Sequence, residues 1–162
     1  EVSDLVGVAM ARLRRELSDH IVNVEIPIDF PRVEMDFVLM EQALVNILQN
    51  AAEHASQETP IKIAVSKQPY NGKKKDIKAE MRLGIADGGP GMPSDALGQI
   101  FDKFYRLPNS KAGGSGLGLS IVKGFVEAHQ GTIKVDNETG GGAKFSIEIP
   151  TQISFVNNLK NE

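Results

Sequence analysis

The 162-residue sequence contains no cysteine. Disulfides, thiolate metal sites and a cysteine nucleophile are therefore excluded. No stretch approaches the roughly 18–20 apolar residues that a membrane span needs, and no signal peptide opens the chain. A positive field is missing as well: the formal net charge is -3, which tells against a nucleic-acid partner. Any phosphate site in such a chain has to use local donors and dipoles. Internal repeats and low-complexity linkers are also absent, and the length fits one domain. With 41% hydrophobic and 24% charged residues the chain can build a core, which excludes wholesale disorder. It opens inside a helical pattern, so it is expected to be a fragment of a longer protein.

Residues 3–18 place Leu5, Val8, Ala9, Leu13 and Leu17 at helical spacing, with arginines on the other side. Ile21 to Ile26 alternates as a strand that Pro27 ends, and Pro31 to Glu34 adds a short second one. Asp36 is an N-cap for a long helix reaching His54. On it Phe37, Met40, Leu44, Ile47, Leu48 and Ala51 form an apolar stripe, and Gln42, Asn46, Gln49, Asn50 and Glu53 fall opposite. Ile61–Ser66 and Ala79–Ala86 read as strands, joined through a turn containing Asn71-Gly72, a hairpin signal. Residues 87–114 are rich in glycine and proline. A second long helix is expected over 115–129 with Gly131 in C-cap territory. Strands at 132–136 and 143–149 close a hairpin across Gly140-Gly141-Gly142, and residues 151–162 are expected to be a frayed tail. The predicted fold is an α/β sandwich: a mixed, mostly antiparallel sheet layered against about three helices, spanning residues 1–150.

Four stretches carry chemistry. Asn46 and Asn50 are four residues apart, so their amides project from one helix face. An amide oxygen is a hard ligand suited to a Mg²⁺ that bridges phosphates; the plainer reading of an Asn pair is a solvated helix face. Asp87-Gly88-Gly89-Pro90-Gly91 follows a strand, and its glycines let backbone approach a ligand closely while the carboxylate can accept from an exocyclic amine. Gly113-Gly114-Ser115-Gly116-Leu117-Gly118-Leu119 opens a helix, whose free N–H groups suit a phosphate chain. It lacks the Gly-Lys-Ser/Thr ending of a P-loop, and no strand leads into it as dinucleotide binding requires. In Ile100-Phe101-Asp102-Lys103-Phe104-Tyr105-Arg106, the two phenylalanines read as core anchors. Lys103 and Arg106 flank the loop that would cover the pocket, where a guanidinium can offset γ-phosphoryl charge.

In this fixed order the four stretches resemble the catalytic ATP-binding domain of bacterial sensor histidine kinases, within the wider superfamily of gyrase, Hsp90 and MutL. The resemblance covers residues 1–150: EQALVNILQNAAEHA is similar to the N box, DGGPGMP to the G1 box, IFDKFYR to the F box and GGSGLGLSIVKG to the G2 box. It implies the Bergerat-type ATP-binding fold and Mg-ATP as cofactor. Asn50 would be the Mg²⁺ ligand, with Asn46 beside it on the phosphate side and Arg106 as a further catalytic group. Asp87 would read adenine, with Gly89, Gly91 and Met92 shaping the base pocket and His54 and Lys103 touching nucleotide. Gly114, Gly116 and Gly118 would hinge a lid over residues 92–114, and Ser115, Leu117 and Leu119 would complete the nucleotide-binding set. The wording RLRRELSDHIVNVEIPIDFPRVEMDFVLMEQAL, with FDKFYRL and SIVKGFVEAHQG, is most similar to the potassium-responsive branch of that family. Many members carry Lys or Arg, then Tyr, where this chain has Glu53 and His54; Lys103, Arg106 or Lys111 would then supply the cationic charge.

Three readings follow. A kinase moves the γ-phosphoryl group to a histidine elsewhere and needs positioning and charge stabilisation more than a base. An ATPase of the superfamily carries a glutamate where this chain has Asn46, and an amide is no general base. A nucleotide-binding pseudokinase is the third, supported by Glu53 and His54. None of His20, His54 and His129 sits in an acceptor-like run. The kinase reading therefore implies a separate dimerisation and acceptor-histidine domain in a homodimer, a response regulator downstream, and a cytoplasmic position in a bacterial inner-membrane sensor whose anchor precedes Glu1.

Overall fold

The computed structural model describes residues 1–107 and 118–155. Four helices, α1 (Val2–Arg12), α2 (Phe37–His54), α3 (Ser94–Leu97) and α4 (Gly118–Ala128), are interleaved with seven strands among these residues. The strands are β1 (Val22–Glu25), β2 (Arg32–Val33), β3 (Ile61–Pro69), β4 (Ala79–Ala86), β5 (Thr132–Asn137), β6 (Ala143–Thr151) and β7 (Ile153–Ser154). The main sheet has five strands in the order β1-β3-β4-β6-β5. Its β1–β3 pair is parallel and the other three pairs are antiparallel. This is the expected mixed, mostly antiparallel α/β sandwich.

Period-two patterning makes the sheet two-faced. Ile61, Ile63 and Val65 of β3, Met81, Leu83 and Ile85 of β4, and Phe145, Ile147 and Ile149 of β6 are all buried. They meet Met40, Leu44, Ile47, Leu48 and Ala51 of α2, with Leu5, Val6 and Ala9 of α1 and Val122 and Val126 of α4 in the same core. The alternate positions face outward, where Arg82 pairs with Glu148 at 3.3 Å. With its apolar stripe against the sheet, α2 is left with its polar side turned away. The Asp36 carboxylate caps this helix by accepting from the Leu39 N–H at 3.1 Å, an interaction worth about 1 kcal/mol.

His129 ties α4 back to that cap. The Asp36 N–H donates to its Nε2 at 2.9 Å, and Nδ1 lies 2.8 Å from the Phe125 carbonyl oxygen. The helix ends in a Schellman arrangement: Gly131 N–H bonds to Val126 O and Gln130 N–H to Glu127 O. It is Gln130, at φ 58, and not Gly131 that takes the left-handed position.

Several boundaries differ from the sequence reading. The first helix stops at Arg12, because Leu13 leaves helical geometry at φ -105, ψ 24. Leu13 and Leu17 are buried all the same, so their spacing reported burial beyond the helical backbone. Pairing of β3 with β4 runs to Pro69↔Ala79, and the connection is residues 70–78. Gly72 is not among the glycines with positive φ, so Asn71-Gly72 does not form the tight turn it suggested. Beyond residue 150, Thr151 ends β6, and β7 pairs with β2 through Arg32↔Ser154 and Val33↔Ile153. Thr151 is buried and its hydroxyl donates to Glu34 O at 2.7 Å, so the chain is ordered past the expected start of the tail. Phe101 behaves as the expected anchor, edge-on to Phe145 with centroids 6.2 Å apart. Phe104 does not: it is 70% exposed at φ 65, because this backbone turn swings its ring outward while Tyr105 packs on the core.

Candidate functional site

Two other segments lie against the outward side of α2. At its C-terminal end the loop Asp87–Met92 crosses so closely that a Cβ on Gly89 would lie 2.1 Å from the His54 carbonyl oxygen. Near its middle Asn46 Nδ2 donates to the Gly118 carbonyl oxygen at 3.2 Å, which brings the described beginning of α4 to the stripe. Eight residues separate Asn46 from His54, a span of about 12 Å along a helix. Asn50 lies between.

The loop end is tightly bonded. Asp87 is 6% exposed, and its Oδ1 accepts from Gly89 N–H at 2.9 Å and Ala143 N–H at 3.3 Å. Its own N–H donates to Ala143 O at 3.0 Å, one step past the last ladder pair, Ala86↔Lys144. Among the described residues Oδ2 accepts no hydrogen bond, so one carboxylate oxygen is left for a donor from outside. Gly142, at φ +91, runs against the back of this group, where a Cβ would sit 1.9 Å from Asp87 O. Gly91 has φ +78. Met92 is buried, and its backbone is gripped by Asn137: Met92 N–H donates to Asn137 Oδ1 at 2.8 Å, and Asn137 Nδ2 donates to Met92 O at 2.7 Å.

The middle of the stripe is different. Both ends of the Asn46 amide are engaged, its oxygen accepting from Gln42 Nε2 at 3.0 Å and its nitrogen donating to Gly118. Asn50 Oδ1 is buried and has no hydrogen-bond partner among the described residues. An unpaired buried amide oxygen is costly, by roughly 1–3 kcal/mol, unless a donor or cation completes it. As a hard oxygen it fits Mg²⁺, which takes few protein ligands when phosphates and water fill its sphere. No group of three or more acidic, His or Cys side chains exists among the described residues to hold a metal unaided.

The structure thus brings Asn46 together with Gly118, and His54 with Gly89, and it places Asp87, Gly91 and Met92 in one loop. Leu119 follows Gly118 in α4 and is partly buried. Lys103 and Arg106 are exposed on the segment after α3, and Lys103 bonds to none of Asn46, Asn50 or Asp87 among the described residues. Gly114, Ser115, Gly116 and Leu117, with Lys111, lie outside the described residues, as does part of the expected lid. Glu53 is exposed, so its charge is directed to solvent. Asn137, Gly142 and Gln42 were missed as site residues. Asn137 and Gly142 act across more than 40 residues of sequence, and only the Gly140–Gly142 turn signalled their region. Gln42 stood in the polar stripe but carried no motif. A separate groove of about 540 Å³ lies on the open sheet face, lined by Lys62, Ala64, Gly84, Ala86 and Lys144 with Asp87 and Gly88 at its edge.

A carboxylate at a strand end, a Gly-rich loop against a helix and an amide stripe leading to a second helix thus lie together on the outward side of α2. Residues 35–153 match the family model described as histidine kinase-, DNA gyrase B-, and HSP90-like ATPase, and the chain belongs to that family. Its relatives there are sensor histidine kinases, and it corresponds to their ATP-binding catalytic domain. It is 36% identical over 156 residues to the sensor protein KdpD of Clostridium acetobutylicum, covering 94% of this chain and 16% of that protein. To KdpD of Escherichia coli K12 it is 34% identical over 152 residues, covering 93% and 16%. The mycobacterial sensor histidine kinase MprB superposes with a TM-score of 0.78 at 26% identity, over 94% of this chain and 97% of that one. The chain spans about one sixth of the length of the KdpD relatives.

Proposed function

We propose that this chain binds Mg-ATP along α2 and delivers the γ-phosphoryl group to a histidine on a separate dimerisation domain of the same homodimeric kinase. The observation that carries the reading is the unpartnered Asn50 Oδ1, midway between the Asp87 loop and the start of α4. Asp87 Oδ2 accepts the adenine amine, with Gly89, Gly91 and Met92 forming the walls and His54 at the helix end beside them. Asn50 is the protein ligand of Mg²⁺, which when bound draws charge from the phosphate oxygens. Asn46 holds α4 in place, and Gly118 and Leu119 continue into the nucleotide-binding segment with Gly114, Ser115, Gly116 and Leu117. Lys103 and Arg106, carried on an exposed segment, reach the γ-phosphate when that segment closes.

Asn46 supports transfer over hydrolysis. Both ends of its amide are occupied, and an amide cannot take a proton from water. The KdpD relatives support a place in potassium or osmotic signalling, with a response regulator downstream and the chain on the cytoplasmic side of a membrane-anchored protein. Among the described residues no helix is long and apolar enough to cross a membrane.

The test is transfer in trans. Incubated with labelled ATP, Mg²⁺ and the dimerisation domain, the chain is expected to yield an acid-labile, base-stable phosphohistidine. Alone it should hydrolyse ATP barely above background. Brisk hydrolysis without transfer would favour the ATPase reading.

A further inference from the structure

Both ends of the base loop are fastened to a single rung of the sheet. Asn137 and Ala143 are register partners, the pair that closes β5 against β6. Ala143 holds the first residue of the loop: its carbonyl accepts from Asp87 N–H at 3.0 Å, and its N–H donates to Asp87 Oδ1 at 3.3 Å. Asn137 holds the last, bonding to the N–H and carbonyl of Met92 at 2.8 and 2.7 Å. Opposed rung residues in an antiparallel pair are about 4.5–5.5 Å apart at Cα, so the hexapeptide between Asp87 and Met92 is cinched at its base.

The Asn137 grip is specific to an amide. One group must accept and its neighbour must donate, in the spacing of a peptide unit. Met92 is 7% exposed, so its backbone groups have no ready replacement in water, and a lost partner there is penalised. Gly91 fits the same grip, since a Cβ on it would approach Asn137 Oδ1 to 2.8 Å. Asn137 is exposed on its own strand and buries little apolar surface, so its contribution is to the loop and not to the core.

We infer that Asn137 is a positioning residue for base recognition: by bracketing Met92 it sets the width of the Asp87–Met92 loop, and so the selection of adenine over guanine by Asp87. This rests on the assignment of Asp87 to the base. A 6-oxo group in place of the amine presents an acceptor to the Asp87 carboxylate, and a loop of fixed width cannot shift to avoid that clash.

The experiment uses the 162-residue chain, with ADP and GDP titrated calorimetrically against the unmodified protein, Asn137→Ala, Asp87→Asn and the double variant, and thermal unfolding recorded for each. Asn137→Ala is expected to weaken ADP by about tenfold, equivalent to roughly 1.4 kcal/mol, and to narrow the ADP-to-GDP ratio. In the double variant the losses should fall short of the product of the single ones, because both act on one loop. A merely structural role would lower the unfolding temperature and leave the ratio unmoved. Asn137→Asp keeps the bond from Met92 N–H but opposes the Met92 carbonyl with a second acceptor; it should narrow the ratio too, and it stands in if the alanine variant does not fold. Weakened ADP binding in Asp87→Asn with an unchanged ratio in both Asn137 variants would overturn this inference alone. Unchanged ADP binding in Asp87→Asn would overturn the base assignment and this inference with it.

Discussion

The loop end and the middle of the α2 stripe are built on opposite plans. At the loop end Asp87 is locked by two N–H donors, Met92 is bracketed by Asn137, and the Gly89 backbone lies against His54. In the middle, Asn50 Oδ1 is buried and unpaired. The first is preorganised, so under the proposed assignment little would be lost on binding a rigid base. The second leaves a buried acceptor without a partner among the described residues, open to a donor or cation. Under the proposed function this division lets the loop anchor the base while the middle of the stripe is completed by what it binds.

The largest expected effect comes from breaking the anchored end. Gly142→Ala places a methyl group 1.9 Å from Asp87 O at φ +91. Overpacking costs about 1–3 kcal/mol and left-handed backbone roughly 1–2 more. Thermal denaturation should show a clear loss of stability, with ADP affinity falling alongside it. A stable variant with normal affinity would mean that the turn has slack behind Asp87.

Asp87→Asn should remove the outward acceptor without disturbing the fold. The amide oxygen can still accept from Gly89 and Ala143 N–H, but the outward atom becomes a donor facing the adenine amine. ADP and ATP should each bind more weakly by about 1–3 kcal/mol, with an unfolding temperature close to that of the unmodified chain. Equal loss of stability and affinity would assign the carboxylate to the loop's own architecture.

The smallest effect is expected at Glu53. Its side chain is exposed, and solvated charges near a surface are worth under about 1 kcal/mol. Glu53→Lys should therefore tighten ATP binding by a fewfold at most, and less at high salt. A gain of a hundredfold would show that this carboxylate faces the triphosphate.

Much of this was legible because periodicity reports burial directly. The strands read at 61–66, 79–86 and 143–149 pointed to the two-faced sheet, and the 3.6-residue stripe on α2 separated its core side from its polar side. Asn46, Asn50 and Asp87 were singled out because each sits in a local pattern. The structure then showed what each one touches. Asn137 was not legible, since its partner Met92 is 45 residues away and no local spacing encodes that bond. The α1 boundary failed for a related reason: Leu13 and Leu17 kept helical spacing while the backbone had already turned. Phe104 failed because an aromatic flanked by core residues is read as core, and a positive φ, invisible in the letters, points it outward. The Asn71-Gly72 signal describes a two-residue turn, whereas the β3–β4 connection is longer and needs no left-handed pair.

The central claim is that the unpaired Asn50 oxygen marks the cation site joining nucleotide to α2. Calorimetric titration of ADP into the unmodified chain and Asn50→Ala, each with Mg²⁺ and with chelator, tests it most directly. The unmodified chain should bind ADP more tightly with Mg²⁺ than without. Asn50→Ala should retain the affinity measured in chelator, because the Asp87 loop is untouched, and lose the Mg²⁺-dependent gain. An equal gain from Mg²⁺ in both proteins would contradict the account and move the cation to other residues.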